Sequence, residues 1–170
     1  KILNIIEDLP DEHQKTLFSC LANYAITCNQ KNISNFRPFY FETFKIGINN
    51  DYVVQNGELA YQYYLNAINI ATSVDINEIE WAKKAVKQKH RLIHKDVRED
   101  CKKLSEAFID FAEKKYDEAL DKLNGIEKWR QYSFGLQGRL LTLKCYYELD
   151  IITNGKYLER TEYFADAYRN

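Results

Sequence analysis

Apolar residues recur three and four positions apart along most of this 170-residue chain, which is the period of amphipathic α-helices. In one such segment Phe36, Tyr40, Phe44 and Ile48 follow one another at steps of four. Six glycines and two prolines leave few positions that break a helix. The breaks predict eight helices, over residues 10–29, 37 to about 50, 58–74, 77–94, 98–114, 117–124, 131–149 and 156–170. No segment alternates apolar and polar residues for long enough to predict a strand.

The residues at the predicted helix ends are of the types that start and stop helices. Pro10 suits an early helical position, and Asp11 beside it favours the positive end of the helix dipole. Asn77 is the expected N-cap of the fourth helix. Gly47 is expected at the end of the second helix, and Gly125 is expected to cap the sixth.

The predicted helices are of two kinds. The seventh has two apolar stripes, one made of Leu136, Leu140, Leu143 and Tyr147 and the other of Leu141, Cys145 and Leu149. The third is also apolar on two faces, whereas the sixth and eighth are apolar on one side only. A helix with two apolar faces is expected to lie between neighbours, as the inner layer of stacked hairpins does. We therefore predict an all-α fold, an α-solenoid of about four irregular hairpins over residues 10–50, 58–94, 98–125 and 131–170, in one domain spanning 1–170.

Self-comparison supports a repeat. Trp81 and Tyr116 each open a predicted outer helix and lie 35 positions apart, as do Phe111 and Tyr146 on the inner helices. A period near 34 is typical of tetratricopeptide repeats. Trp81 is expected to be largely buried where two helices cross, so that Trp81→Ala would cost roughly 3–5 kcal/mol.

Residues 104–123 resemble one tetratricopeptide repeat. Ala107 occupies the small-residue position of the inner helix, Tyr116 begins the outer helix, Ala119 is the small residue at the crossing, and Leu123 packs behind it. The family's tryptophan, its Leu-Gly pair and its closing proline have no recognisable counterpart. Residues 140–149 are also similar to bacterial helical-repeat proteins without an assigned activity. The resemblance implies a helical-repeat fold that binds proteins or peptides.

Composition and charge exclude several classes of function. The net charge is −1, from 24 basic and 25 acidic residues, so nothing indicates a basic surface for nucleic acid or anionic lipid. Lys83, Lys84, Lys87, Lys89 and Arg91 are interpreted as the solvated face of a helix. The sequence contains no apolar run of the ~18 residues that a membrane span needs.

The cysteines and histidines predict no metal site. Cys20, Cys28, Cys101 and Cys145 form no Cys-x-x-Cys pair, so we expect four reduced thiols and a reducing compartment, the cytoplasm. His90 and His94 share a predicted helix but have no third ligand nearby in the sequence, and Arg91 between them would repel a cation.

No pattern predicts an enzyme or a cofactor. The chain has no glycine-rich phosphate loop and no nucleophile elbow. Gly135 and Gly138 have the wrong spacing for a dinucleotide fingerprint and instead favour a close approach of two helices. Paired carboxylates such as Asp117 and Glu118 fall at helix starts, where the helix dipole explains them.

Three polar residues are candidates for partner binding. Asn23 and Asn66 lie in apolar stretches of predicted inner helices, where an unpaired amide is costly to bury. In tetratricopeptide proteins such asparagines bind a peptide backbone, and Lys144 would supply a charge for a carboxylate. The alternative is that these polar groups join one hairpin to the next.

The expected function is a protein- or peptide-binding scaffold that uses the concave face of the hairpins. Methionine is absent even from position 1, so we expect the chain to be part of a longer protein. The alternative function is a purely structural segment of a longer repeat array, supporting an enzymatic or DNA-binding domain. An RNA-binding protein would need a basic groove, which the sequence does not predict.

Overall fold

The computed structural model describes residues 5–6, 8–31, 36–127 and 134–166. That part of the chain is mostly helical, with one pair of two-residue strands, which confirms the all-α class. The helices are α1 (Asp11–Gln30), α2 (Arg37–Asn49), α3 (Tyr61–Val74), α4 (Ile79–Lys89), α5 (Arg98–Ala112), α6 (Tyr116–Asn124), α7 (Gly135–Ile152) and α8 (Leu158–Asp166). Within the described residues, none of these helices combines the length and the hydropathy needed to cross a membrane.

A short β-hairpin, which the sequence did not predict, lies between α2 and α3. Its strands are β1 (Val54–Gln55) and β2 (Glu58–Leu59), paired antiparallel. Asn56 and Gly57 form the turn, with φ angles of 52° and 81°. Asn-Gly favours a two-residue turn with positive φ at both positions. Strands of two residues are too short to show alternation, so the sequence identified only the turn, and α3 begins at Tyr61 rather than at 58.

The limits of α4 also differ from the prediction. Asp75, rather than Asn77, provides the side-chain acceptor before this helix, because its Oδ1 accepts a hydrogen bond from the backbone N–H of Asn77 at 2.9 Å. A 3₁₀ turn, Ile76–Glu78, then leads into α4. A second 3₁₀ turn, His90–Leu92, follows it. His90 and His94 therefore do not share a helix, although the sequence had suggested that they do.

Each helix packs against the next along the chain, and two further contacts join alternate helices, α3 with α5 and α5 with α7. The buried side chains form one core that continues from α1 to α7. Its largest fully buried members include Phe41 and Phe44 of α2, Tyr64 of α3, and Phe134 just before α7. Aromatic side chains thus fill much of the space between helices.

The α5–α6 hairpin has the local structure expected from its sequence. Ala107 and Ala119 are both 0% exposed, which allows the two helices to approach closely. The rings of Phe111 and Tyr116 lie 5.4 Å apart at the turn. Lys114 turns the chain with a left-handed φ of 64°. The core contacts of residues 104–123 are therefore those of a tight helical hairpin.

Trp81 is partly buried and packs against the core without being fully enclosed by it. Its ring and that of Phe41 meet in a T-shaped contact, with 5.4 Å between centroids. Its Nε1 donates a hydrogen bond to the side chain of Asn49 at 3.1 Å, at the surface. Tryptophan often lies this way, since its ring is large and its N–H requires a partner. The loss expected for Trp81→Ala is accordingly smaller than that for a fully buried ring.

Candidate functional site

The structure places the three predicted partner-binding residues on three different helices. Asn23 is exposed on α1, and Lys144 is exposed on α7. Asn66 is half-buried on α3, where its Oδ1 accepts a hydrogen bond from Nε2 of Gln137 on α7 at 3.0 Å. In the described part of the chain, no side-chain hydrogen bond joins Asn23 to Asn66 or Lys144.

The Asn66–Gln137 hydrogen bond joins residues that are 71 positions apart in the chain. A second contact joins the same region, since the rings of Tyr61 and Phe134 meet edge-on at 5.8 Å. These two contacts join α3 to the first turns of α7. A hydrogen bond between two helices is what the alternative interpretation of Asn66, as a link between hairpins, requires.

An apolar stripe along α7 is exposed in the described part of the chain. We define the α7 stripe as Leu136, Leu140, Leu143, Tyr147 and Ile151. Four of these side chains are largely exposed, at 61%, 46%, 57% and 57% for Leu136, Leu140, Tyr147 and Ile151. Exposed apolar groups are common singly, but a contiguous set marks an interaction surface.

Helical geometry explains why this stripe is open. Leu141, Cys145 and Leu149 lie on the opposite side of α7 and are buried against the core. The expectation that both apolar stripes of this helix would be covered is therefore wrong for the described part of the chain. From Leu136 to Ile151 the stripe extends about 22 Å at 1.5 Å per residue. Lys144 lies at its edge, four residues after Leu140.

The glycines of α7 are on its packed side. Gly135 and Gly138 are both buried, as expected for small residues that let helices approach closely. Gly138 O also accepts a hydrogen bond from Oγ1 of Thr142 at 3.0 Å.

Neither the histidines nor the cysteines are brought together. Within the described residues, no group of three His, Cys, Asp or Glu side chains is placed to hold a metal ion. His90 Nδ1 lies 2.7 Å from the carbonyl oxygen of Val86. His94 is exposed, with Nδ1 3.6 Å from a carboxylate oxygen of Asp96. All four cysteines are free thiols.

We expect one fast-reacting thiol in the native protein and four after unfolding. Cys20 is exposed, whereas Cys28, Cys101 and Cys145 are buried. Burial raises the pKa of both Cys101 and Cys145 to about 12, so little of the reactive thiolate forms there. Titration with dithionitrobenzoate at pH 8, with and without guanidinium, measures both numbers.

A second thiol reacting as quickly as Cys20 would contradict this assignment.

The same pKa values predict a pH effect on stability. The fold favours the neutral thiols of Cys101 and Cys145, so their contribution is complete below the ordinary pKa of 9.0 and is lost as the pH rises toward 12. Melting curves recorded across this range should show a falling melting temperature.

The cationic run of α4 is divided between two faces. Lys84 and Lys89 lie beside Trp81 on one side. Lys83, Lys87 and Arg91 face a cleft on the other. The interpretation of the whole run as a solvated helix face is therefore incomplete, because helical spacing cannot show what lies opposite each face.

Comparison of the chain with protein-family models, with curated proteins and with solved structures found no match. The resemblance to a tetratricopeptide repeat thus rests on residues 104–123 and on the hairpin that they form.

Proposed function

We propose that this protein is a helical scaffold that binds a protein or peptide partner, and that the α7 stripe is its binding surface. The observation that carries the proposal is the exposure of Leu136, Leu140, Tyr147 and Ile151 on one face of a well-packed helix. Covering these side chains would remove apolar surface from water, which is the main driving force for association.

We further propose that the helices form an α-solenoid, with α3, α5 and α7 as its inner row. The packing of α3 on α5 and of α5 on α7 supports this arrangement. In a solenoid of this kind the α7 stripe would belong to the inner face, where the sequence analysis expects the binding groove.

A partner with apolar residues three and four positions apart, such as an amphipathic helix, would match the stripe. Lys144 at the edge would bind a carboxylate of that partner.

The test replaces an apolar side chain of the stripe by a charged one. A peptide library displayed on phage is selected against the protein, and the enriched peptide is then measured by fluorescence polarisation. Leu140→Glu should weaken its binding at least about tenfold, equivalent to about 1.4 kcal/mol. The same change should alter the free energy of unfolding by less than about 1 kcal/mol, since nearly half of Leu140 is exposed.

Two neighbouring isoleucines provide a matched control. Ile151 belongs to the stripe, whereas Ile152 faces away from it, and their exposures are similar at 57% and 63%. Ile151→Asp should weaken peptide binding, and Ile152→Asp should not. Equal effects of the two changes, or binding that survives Leu140→Glu, would exclude the stripe as the site.

The roles of Asn23 and Asn66 are separated by the same assay. Asn66→Ala would remove the hydrogen bond to Gln137, so a lower melting temperature with unchanged peptide binding would identify its role as structural. Asn23 is exposed, so Asn23→Ala would change binding only if the partner reaches α1.

A purely structural segment of a longer array is the second candidate, and the same stripe favours it. In that case another part of the longer protein would cover the α7 stripe. In that case no peptide selected from the phage library would depend on Leu140 for its binding. Leu140→Glu would lower the melting temperature of the longer protein.

A further inference from the structure

A cleft lined by cationic side chains lies on a part of the molecule separate from the α7 stripe. Its lining comes from α4, the 3₁₀ turn after α4, α5 and α6, and its volume is about 480 Å³. Five cations line it, namely Lys83, Lys87, Arg91, Lys102 and Lys122. Among the described residues of the lining, two carry carboxylates, Glu106 and Asp110. The chain as a whole has a net charge of −1, so this positive charge is a local feature.

Two of the five cations are already neutralised. Lys122 forms an ion pair with Asp110 across the α5–α6 hairpin. Lys83 contacts carboxylate oxygens of Glu113 at 2.6 Å and Glu80 at 2.8 Å. These hydrogen bonds, first that to Glu113, raise the pKa of Lys83 above its usual value. Lys83 therefore stays charged and is held in place.

The other three cations have no such partner. Among the described residues, no carboxylate oxygen lies within 4.0 Å of the side-chain nitrogens of Lys87, Arg91 or Lys102. Lys87 lies in the last turn of α4, Arg91 lies in the 3₁₀ turn that follows it, and Lys102 lines the same cleft from α5. Like charges gathered in one cleft repel each other, and an anion between them would relieve that repulsion.

The floor of the cleft is apolar. Val86 and Ile109 lie there, each 6% exposed. Glu106 offers a carboxylate acceptor beside them, with no partner cation in the described structure. His90 also lines the cleft, whereas its described lining contains no phenylalanine, tyrosine or tryptophan, the large rings on which nucleic-acid bases usually stack.

We propose that this cleft binds an acidic peptide segment. Its carboxylates contact Lys87, Arg91 and Lys102, one apolar side chain lies on Val86 and Ile109, and a backbone N–H donates to Glu106. A continuous phosphate backbone fits less well, because the two carboxylates of the lining would repel it and the apolar floor would have nothing to bind. The site is additional to the α7 stripe and does not depend on it.

The test uses a fluorescein-labelled peptide of sequence Glu-Asp-Leu-Glu-Glu, measured by fluorescence polarisation with the 170-residue chain. Binding should weaken about tenfold when NaCl is raised from about 50 to about 300 mM, because ions screen the contacts. The combined change Lys87→Glu, Arg91→Glu and Lys102→Glu should abolish binding. Replacing the leucine of the peptide by serine should weaken binding several-fold if the apolar floor is occupied.

Matched controls separate the cleft from charge in general. Lys84 is on the same helix but faces away from the cleft, so Lys84→Glu should leave the affinity within about twofold. Leu140→Glu on the α7 stripe should also leave it unchanged, so failure of the stripe and failure of the cleft are distinguishable. If circular dichroism shows that the triple variant is unfolded, the single change Lys102→Gln replaces it. That change should weaken peptide binding about threefold or more.

Three results would overturn the proposal. One is the absence of peptide binding up to about 1 mM at low salt. Another is binding that persists in the cleft variants or is lost equally in Lys84→Glu. The third is tighter binding of pyrophosphate or of a short thymidine oligonucleotide than of the peptide, which would assign the cleft to phosphate groups.

Discussion

Phe44→Ala should lower the free energy of unfolding by about 3–5 kcal/mol, the usual result of removing a buried phenylalanine. Phe44 is 1% exposed. Its ring lies 4.5 Å from that of Tyr40 on the same helix and 5.0 Å from that of Tyr63 on α3. Truncation removes the apolar contact that joins α2 to α3 and leaves a cavity, because neighbouring rings are held by their own contacts.

Urea unfolding followed by circular dichroism measures this loss. For a chain of this length, a loss of that size corresponds to a fall in melting temperature of about 10 °C. Tyr147→Ala is the control, since Tyr147 is 57% exposed on α7 and its removal should change stability by about 0.5 kcal/mol or less. Similar losses for Phe44→Ala and Tyr147→Ala would show that the α2–α3 contact is not part of the core.

Gly47→Ala should also destabilise the protein, by about 2 kcal/mol, although helix propensity alone predicts a gain of about 1 kcal/mol. Gly47 lies inside α2 and is buried. A Cβ atom at this position would lie 2.3 Å from Cζ of Phe18 on α1, far closer than any stable contact. The rings and backbone must shift to make room, and such overpacking typically costs about 1–3 kcal/mol.

A double-mutant cycle checks the cause. Phe18→Leu shortens the side chain that meets Gly47, so Gly47→Ala should cost much less in that background than in the native one. A rise in melting temperature for Gly47→Ala alone would contradict the close approach of α1 and α2. The sequence suggested that Gly47, Asn49 and Asn50 mark the end of the second helix, and α2 passes through Gly47 and ends at Asn49.

The two proposed binding surfaces differ in chemistry as well as in position. The α7 stripe is apolar with Lys144 at its edge, whereas the cleft between α4 and α6 combines cations with a small apolar floor. A scaffold with both would bind an amphipathic helix at one place and an acidic segment at another. Salt distinguishes them, because it weakens ionic contacts and leaves apolar burial nearly unchanged.

The sequence by itself determined the helices. α5 (Arg98–Ala112) and α6 (Tyr116–Asn124) lie within two residues of their predicted limits. Apolar periodicity and turn-forming residues act over a few positions of the chain, so they are visible without the fold. The errors of prediction fall where short-range rules are weak, at the two-residue strands of the β-hairpin and at the 3₁₀ turns around α4.

Only the tertiary structure decided which surfaces are covered and which groups meet. The period of α7 predicted two apolar stripes correctly, but whether Leu140 is covered depends on residues far along the chain. The same holds for the contact of Gly47 with Phe18 and for the hydrogen bond between Asn66 and Gln137. The cationic cleft gathers side chains from α4, α5 and α6. Helical periodicity fixes the direction of each side chain from its own axis, but it carries no information about what another helix places opposite.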